Sequence, residues 1–200
     1  MVSGSVRLTM YFKRPLDLPL LSKELAKNGF WSAEVLPKAD GTFEILAPEP
    51  GLIGIKPGEP PEIPAYKVYV TPDALSLTIF GGFDNFKDYV SEMIAMITEV
   101  GMKEDEIEMG EIVAVVEDEL SLCDMGEVEG DFLGKMKVNG IVLTSGNKAV
   151  SVAPINEEKR RYLVTITQRD SWAEVRKSAL VLHPLYSELK EVIERWTCRK

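Results

Sequence analysis

The stretch from Tyr66 to Gly101 changes its apolar period once, from that of a strand to that of a helix, and this constrains the fold more than any other feature. Tyr66, Val68 and Val70 alternate with Lys67 and Tyr69, and Leu75, Leu77 and Ile79 alternate with Ser76, Thr78 and Phe80. Alternation in β-branched and aromatic residues sends one set of side chains to a buried face and the other set outward. Between the two runs, Thr71-Pro72-Asp73-Ala74 supplies turn chemistry, because proline presets φ and Asp73 can bond nearby backbone. A hairpin follows. Gly81-Gly82 then breaks the second strand, and Asp84 is placed to cap a helix. Along it Phe86, Tyr89, Val90, Met93, Ile94, Met96, Ile97 and Val100 recur every three or four residues, and Gly101 stops it. Such a helix lies across the hairpin and buries its apolar face there. Glycines at that junction could also admit a phosphate, but no G-x-x-x-x-G-K-[ST] or G-x-G-x-x-G accompanies them, which leaves a tight turn.

Upstream, Val6, Leu8, Met10 and Phe12 alternate with polar neighbours and predict a first strand that ends at Pro15. Asp17 to Asn28 predicts a short helix with Pro19 in its first turn and Asn28-Gly29 at its end. Phe30 to Leu36 and Thr42 to Leu46 predict a hairpin turning at Asp40-Gly41. From Pro48 to Pro64 the chain holds six of its twelve prolines, which predicts an extended loop. Leu52, Ile53 and Ile55 within it need cover, either from the parent sheet or from a ligand or partner, so they are candidate contact residues.

Downstream the composition shifts. Between Glu104 and Asp131 lie twelve acidic residues and no Lys or Arg, more than the whole net charge of -9. Ile107 to Val116 still predicts a strand, and its continuous run Ile112 to Val116 suggests burial on both faces. The following segment to Gly134 fits a short helix or an irregular loop equally. Met136 to Thr144, Ala149 to Ala153 and Tyr162 to Thr167 predict a meander of three strands with a turn at Ser145-Gly146-Asn147. Ser171-Trp172-Ala173-Glu174 is a capping-box pattern, and the helix it opens is interrupted at Pro184 and restarts.

Each half therefore ends with a strand, a break and a helix with an aromatic in its first turn: Asp84 and Phe86 in the first, Ser171 and Trp172 in the second. The predicted class is α+β, as two similar halves, 1–101 and 102–200. Each is an antiparallel sheet covered by its C-terminal helix, which suggests an internal duplication. This element order is similar to the duplicated saddle of TATA-binding proteins, a resemblance of pattern and not of residues. It implies two units joined through their sheets.

An acidic chain of pI about 4.8 argues against general nucleic-acid binding, which needs clustered Lys and Arg, although Lys159, Arg160 and Arg161 form one local basic group. No apolar run approaches the length of a membrane span. With only Cys123 and Cys198, the chain fits a reducing cytoplasmic interior better than secretion, unless the fold pairs them. A single glutamine beside 28% charged residues leans toward a heat-adapted source. His183 is the only histidine and lacks the sequence context of a catalytic base. Carboxylates at Asp118, Glu119 and Asp124 offer hard oxygen ligands for a divalent metal. They carry the alternative function, a carboxylate-dependent hydrolase or phosphoryl-transfer enzyme. No cofactor motif is present. The main expectation is a non-enzymatic binding or regulatory protein, acting through ligand or protein contacts and associating as a homodimer.

Overall fold

The structure is a computed structural model that describes residues 3–32, 34–37, 43–46, 51–58, 64–80, 83, 85–123, 127–130, 134–137, 140–156 and 160–198. The first part of the chain forms β1 (Ser3–Phe12), α1 (Leu18–Lys27), β2 (Glu34–Pro37), β3 (Phe43–Leu46), β4 (Leu52–Pro57), β5 (Pro64–Thr71), β6 (Ala74–Phe80) and α2 (Phe86–Glu99). After a 3-10 turn at Glu104–Glu106 come β7 (Ile107–Glu119), β8 (Glu127–Gly130), β9 (Gly134–Lys137), β10 (Ile141–Ser145), β11 (Lys148–Asn156), β12 (Arg161–Ser171), α3 (Trp172–Leu180) and α4 (Leu182–Thr197). The class is α+β, with four α-helices and one eight-stranded antiparallel sheet in the order β10-β11-β12-β7-β1-β6-β5-β4. β2 with β3 and β8 with β9 form two separate hairpins.

The alternating strands place Val6, Leu8 and Met10 opposite Ile79, Leu77 and Leu75, and Leu8 opposite Ile112 on the other side. All of these are at most 1% exposed and form one core with the apolar faces of the helices. Phe86, Val90, Met93, Met96 and Ile97 of α2 enter that core at helical spacing, as the sequence predicts. α3 comes close to β7 because Gly110 has no side chain, for a Cβ there would stand 2.7 Å from Val175 Cγ1. At the first turn of α1, Asp17 accepts a hydrogen bond from the Leu20 N–H at 2.9 Å.

Several local expectations are corrected. A strand, β4, forms inside the proline-rich segment, with Pro57 and Pro64 at the outer end of its pairing with β5, where lost N–H donors cost least. Val113 and Val115 are half-buried while Ile112, Ala114 and Val116 are buried, so β7 alternates instead of being covered on both faces. The segment left open between helix and loop contains the β8–β9 hairpin. Ser171 makes no side-chain cap bond to α3, and its own N–H is taken by the Asp170 carboxylate at 2.7 Å. The helix restarts as expected, but the break falls at Val181, three residues before Pro184. Gly81, Gly82, Asp84 and the Asp40-Gly41 turn lie outside the described residues.

Cys123 and Cys198 are joined in a disulfide, with Cα atoms 5.0 Å apart across 75 residues of sequence. It fastens the end of α4 to the segment after β7. Beside it the Ser121 N–H donates to Glu194 Oε1 at 2.8 Å. Among the described residues no helix is long and apolar enough to cross a membrane.

Candidate ligand-binding face

Residues paired across neighbouring strands point to the same side of a sheet, so the register can be followed from strand to strand to list each face. One face holds the buried residues named above. On the other, one row runs Ile55, Lys67, Thr78, Arg7, Val113, Thr167, Ala149 and Thr144 from β4 to β10. The adjacent row runs Ile53, Tyr69, Ser76, Thr9, Glu111 and Arg169. Phe80, Ser5, Val115, Thr165, Ser151 and Val142 form the row on the opposite side. Beyond β4, Trp31 exchanges backbone hydrogen bonds with Ile55 at 2.9 and 2.8 Å and extends the first row.

This open face concentrates aromatic surface. Trp31 is 54% exposed, Phe80 49% and Tyr69 40%, and among the described residues the only other aromatic exposed to this degree is Trp196. On the same face Arg7, Thr9, Tyr11, Tyr69, Thr71, Ala74, Ser76 and Glu111 line a concavity of about 240 Å³. Its floor is already paired: Thr9 Oγ1 and Ser76 Oγ are 2.9 Å apart, and Tyr11 donates to Glu111 Oε2 at 3.2 Å. Burial and then the Glu111 charge raise the Tyr11 pKa, so that phenol stays a donor. The Arg169 guanidinium sits 5.6 Å over the Tyr11 ring, and Lys67 Nζ 5.9 Å from the Phe80 centroid. Among the described residues Arg7 makes no hydrogen bond or ion pair, although it is exposed at the rim of the concavity.

The candidate contact residues fall on both sides of β4. Ile53 and Ile55 share the open face, half-buried and 7% exposed respectively, while Leu52 packs against the core on the other. Of the candidate metal ligands, Asp118 accepts hydrogen bonds from Tyr186 at 2.9 Å and Lys190 at 3.0 Å, and Glu119 is exposed at the end of β7. Burial pushes the Asp118 pKa up, but the Lys190 and Tyr186 hydrogen bonds and the Glu119 N–H outweigh it and hold the carboxyl below its ordinary value. Asp124 and Lys159 lie outside the described residues. No group of three His, Cys, Asp or Glu side chains gathers among the described residues. Arg161 forms an ion pair with Glu117. His183 lies on α4 with its ring centroid 6.2 Å from that of Phe83.

No family model matches this chain, and no curated protein matches it either.

Arg7, Lys67, Tyr69, Thr78 and Phe80 are the residues that sequence reasoning passed over. They are the outward-facing members of the same alternating strands whose inward members define the core. Their charge and ring chemistry was visible, but their adjacency depends on the strand order β5-β6-β1.

Proposed function

We propose that this is a non-enzymatic binding protein whose ligand sits on the open face of β4, β5, β6 and β1. The observation that carries this is the concavity on the open face, lined by the exposed Arg7 and Tyr69, on a sheet face that also bears the exposed rings of Trp31 and Phe80, while the opposite face of its central strands is buried in the core. Non-enzymatic action is supported by the state of the polar groups there. Thr9 and Ser76 bond each other, Tyr11 bonds Glu111, and the only histidine stacks on Phe83 and lies on a helix of the covering layer. A two-dimensional amide NMR titration with pooled small metabolites tests the reading. Ligand-dependent shifts should cluster at Ser5 to Tyr11, Lys67 to Thr71 and Ser76 to Phe80. Shifts confined to other parts of the chain would remove this assignment.

Association with a second copy is supported by α4. Val181, Leu185, Val192 and Trp196 fall on one helical stripe and are 45%, 41%, 39% and 53% exposed. Light scattering on the wild type and on Val192→Lys checks it: a dimer turned to monomer supports the contact, and a wild-type monomer rejects it.

The internal duplication draws its support from strand order. From edge to centre the first half runs β4, β5, β6, β1 and the second β10, β11, β12, β7. Fragments 1–101 and 102–200 should then be separate folding units that reassociate through β1 and β7. Coexpressed fragments that stay unfolded together would count against it.

A further inference from the structure

The concavity on the open face arises from a contrast in side-chain length. Ala74 and Ser76 of β6 and Thr9 of β1 are short, and around them Arg7, Tyr11, Tyr69 and Glu111 are long. In the register Thr9 pairs with Ser76 on one side and with Glu111 on the other, and Arg7 stands two residues along β1 on the same face. A group lying over Thr9 is therefore within reach of a guanidinium and a carboxylate at once. Arg7 and Glu111 are diagonal neighbours across β1 and β7, roughly 7 to 8 Å apart at the backbone, close enough for long side chains to meet. They form no ion pair, and Arg7 has no other partner among the described residues.

Glu111 is only partly engaged. Its Oε2 accepts from the Tyr11 hydroxyl at 3.2 Å, and its Oε1 has no partner among the described residues. Arg169 stands opposite Glu111, but its Nε–H donates to the Met109 sulfur at 3.4 Å and its guanidinium lies over the Tyr11 ring. Lys67 has its own partner and does not line the concavity. Beneath the two unlike charges, the Thr9 and Ser76 hydroxyls bond each other at 2.9 Å, which uses one O–H and leaves the other to donate. Thr9 is only 6% exposed, so this polar pair is built into the sheet.

We propose that the concavity takes a free α-amino acid. Its carboxylate lies between Arg7 and the spare hydroxyl of the Thr9–Ser76 pair, its ammonium lies on Glu111 Oε1, and its side chain runs over Ala74 against the Tyr69 ring. This rests on the reading of the open face as a ligand site and names the ligand's chemistry. The ammonium and carboxylate of an α-amino acid are joined through one carbon, which suits two unlike charges that meet over one residue. Both contacts are charge-assisted, and the guanidinium presents paired donors to the carboxylate. A simple anion would be repelled by Glu111 and a simple amine by Arg7, so neither half is favoured alone. At about 240 Å³ the space suits a single amino acid.

The test uses the full chain, with amide NMR shifts and calorimetry. The probes are a mixture of the common amino acids, L-leucine and L-phenylalanine singly, their matched acids isocaproate and hydrocinnamate, and their matched amines isoamylamine and phenethylamine. An amino acid should shift the amides of Arg7, Thr9, Ser76 and Glu111 and bind about tenfold or more tighter than its acid or its amine. Arg7→Ala and Glu111→Gln should each weaken it about tenfold, and Arg7→Lys should restore part of the loss. Arg7 is exposed and glutamine still offers Tyr11 an acceptor, so the melting temperature should hardly move in either variant. A matched acid binding as tightly with no dependence on Glu111, or a matched amine with no dependence on Arg7, overturns the amino acid and leaves the binding face standing. Pooled metabolites that shift these amides where no amino acid does have the same meaning. No shift at the face with any of them overturns both readings.

Discussion

The two faces of β1 carry the same backbone and opposite fates. Val6, Leu8 and Met10 have no exposed surface, whereas Arg7 is exposed and Tyr11 half-buried on residues that alternate with them. The same division extends along the register into β5 and β6, where Tyr66, Val68 and Val70 face the helices and Lys67 and Tyr69 face away. On the covered side each side chain is fixed by its neighbours. On the open side the aromatic and charged groups are left where another molecule can reach them. A face that gains nothing from its exposed rings in folding is free to be shaped by what binds it.

The largest test of this contrast is a pair of truncations on paired strands. Leu8→Ala removes a fully buried side chain from the centre of the sheet and should cost about 2 to 5 kcal/mol, with a cavity left behind. Thr78→Ala, on the open face of the neighbouring strand, should stay within about 0.5 kcal/mol. Urea midpoints at constant slope measure both. Similar losses at the two sites would show that the open face is packed against something in the folded chain.

The covering layer has its own fastening, and breaking it should be the next largest effect. Reducing Cys123–Cys198, or replacing Cys123 by Ser, frees the end of α4 across a long loop and should cost about 2 to 4 kcal/mol. Melting curves with and without reductant read this directly. An unchanged melting temperature under full reduction would place the hold on α4 in its packing alone, through Leu182, Tyr186 and Ile193.

Asp118 joins β7 to α4 through Tyr186 and Lys190, so its titration should loosen the same layer. Its pKa is lower in the folded chain than in the unfolded one. The stability it contributes is therefore complete above the unfolded value of about 3.9 and is lost as pH falls through the folded value. Asp118→Asn should cost about 1 to 2 kcal/mol at neutral pH, because the site is only partly screened from water. It should also flatten the acid limb of the stability profile. An identical acid limb in the variant would assign that limb to other carboxylates.

Much of this arrangement was legible in the sequence and part was not, for a physical reason. Alternation in β1, β5 and β6, the periodic face of α2 and the restart after α3 are local properties, and each appears where the residues place it. β4 was hidden because its stability comes from pairing with β5 and from Trp31, neither of which is local, while its prolines argued for loop. The disulfide needed the position of α4. Arg7 and Lys67 are 60 residues apart in sequence and become neighbours across Thr78 only when β1 and β5 flank β6. Their side chains read as ordinary outward polar positions until that order is known.

The smallest effect on stability should carry the most information about function. Tyr69→Ala removes an exposed ring that lines the concavity but contributes nothing to the core, so urea unfolding should shift by about 0.5 kcal/mol or less. Ligand binding at the face should nevertheless weaken by about tenfold, since Tyr69 is the more exposed of the two rings, with Tyr11, that line the concavity beside Arg7. On the covered face the order is inverted: Tyr66→Phe removes a hydroxyl that donates to Glu92 at 2.6 Å from a fully buried ring, and should cost about 1 to 2 kcal/mol with binding untouched. Two tyrosines three residues apart on β5 would then separate folding from binding, because they point to opposite sides of one sheet. If Tyr69→Ala instead costs as much stability as Tyr66→Phe, the exposed rings are structural and the division between the faces fails.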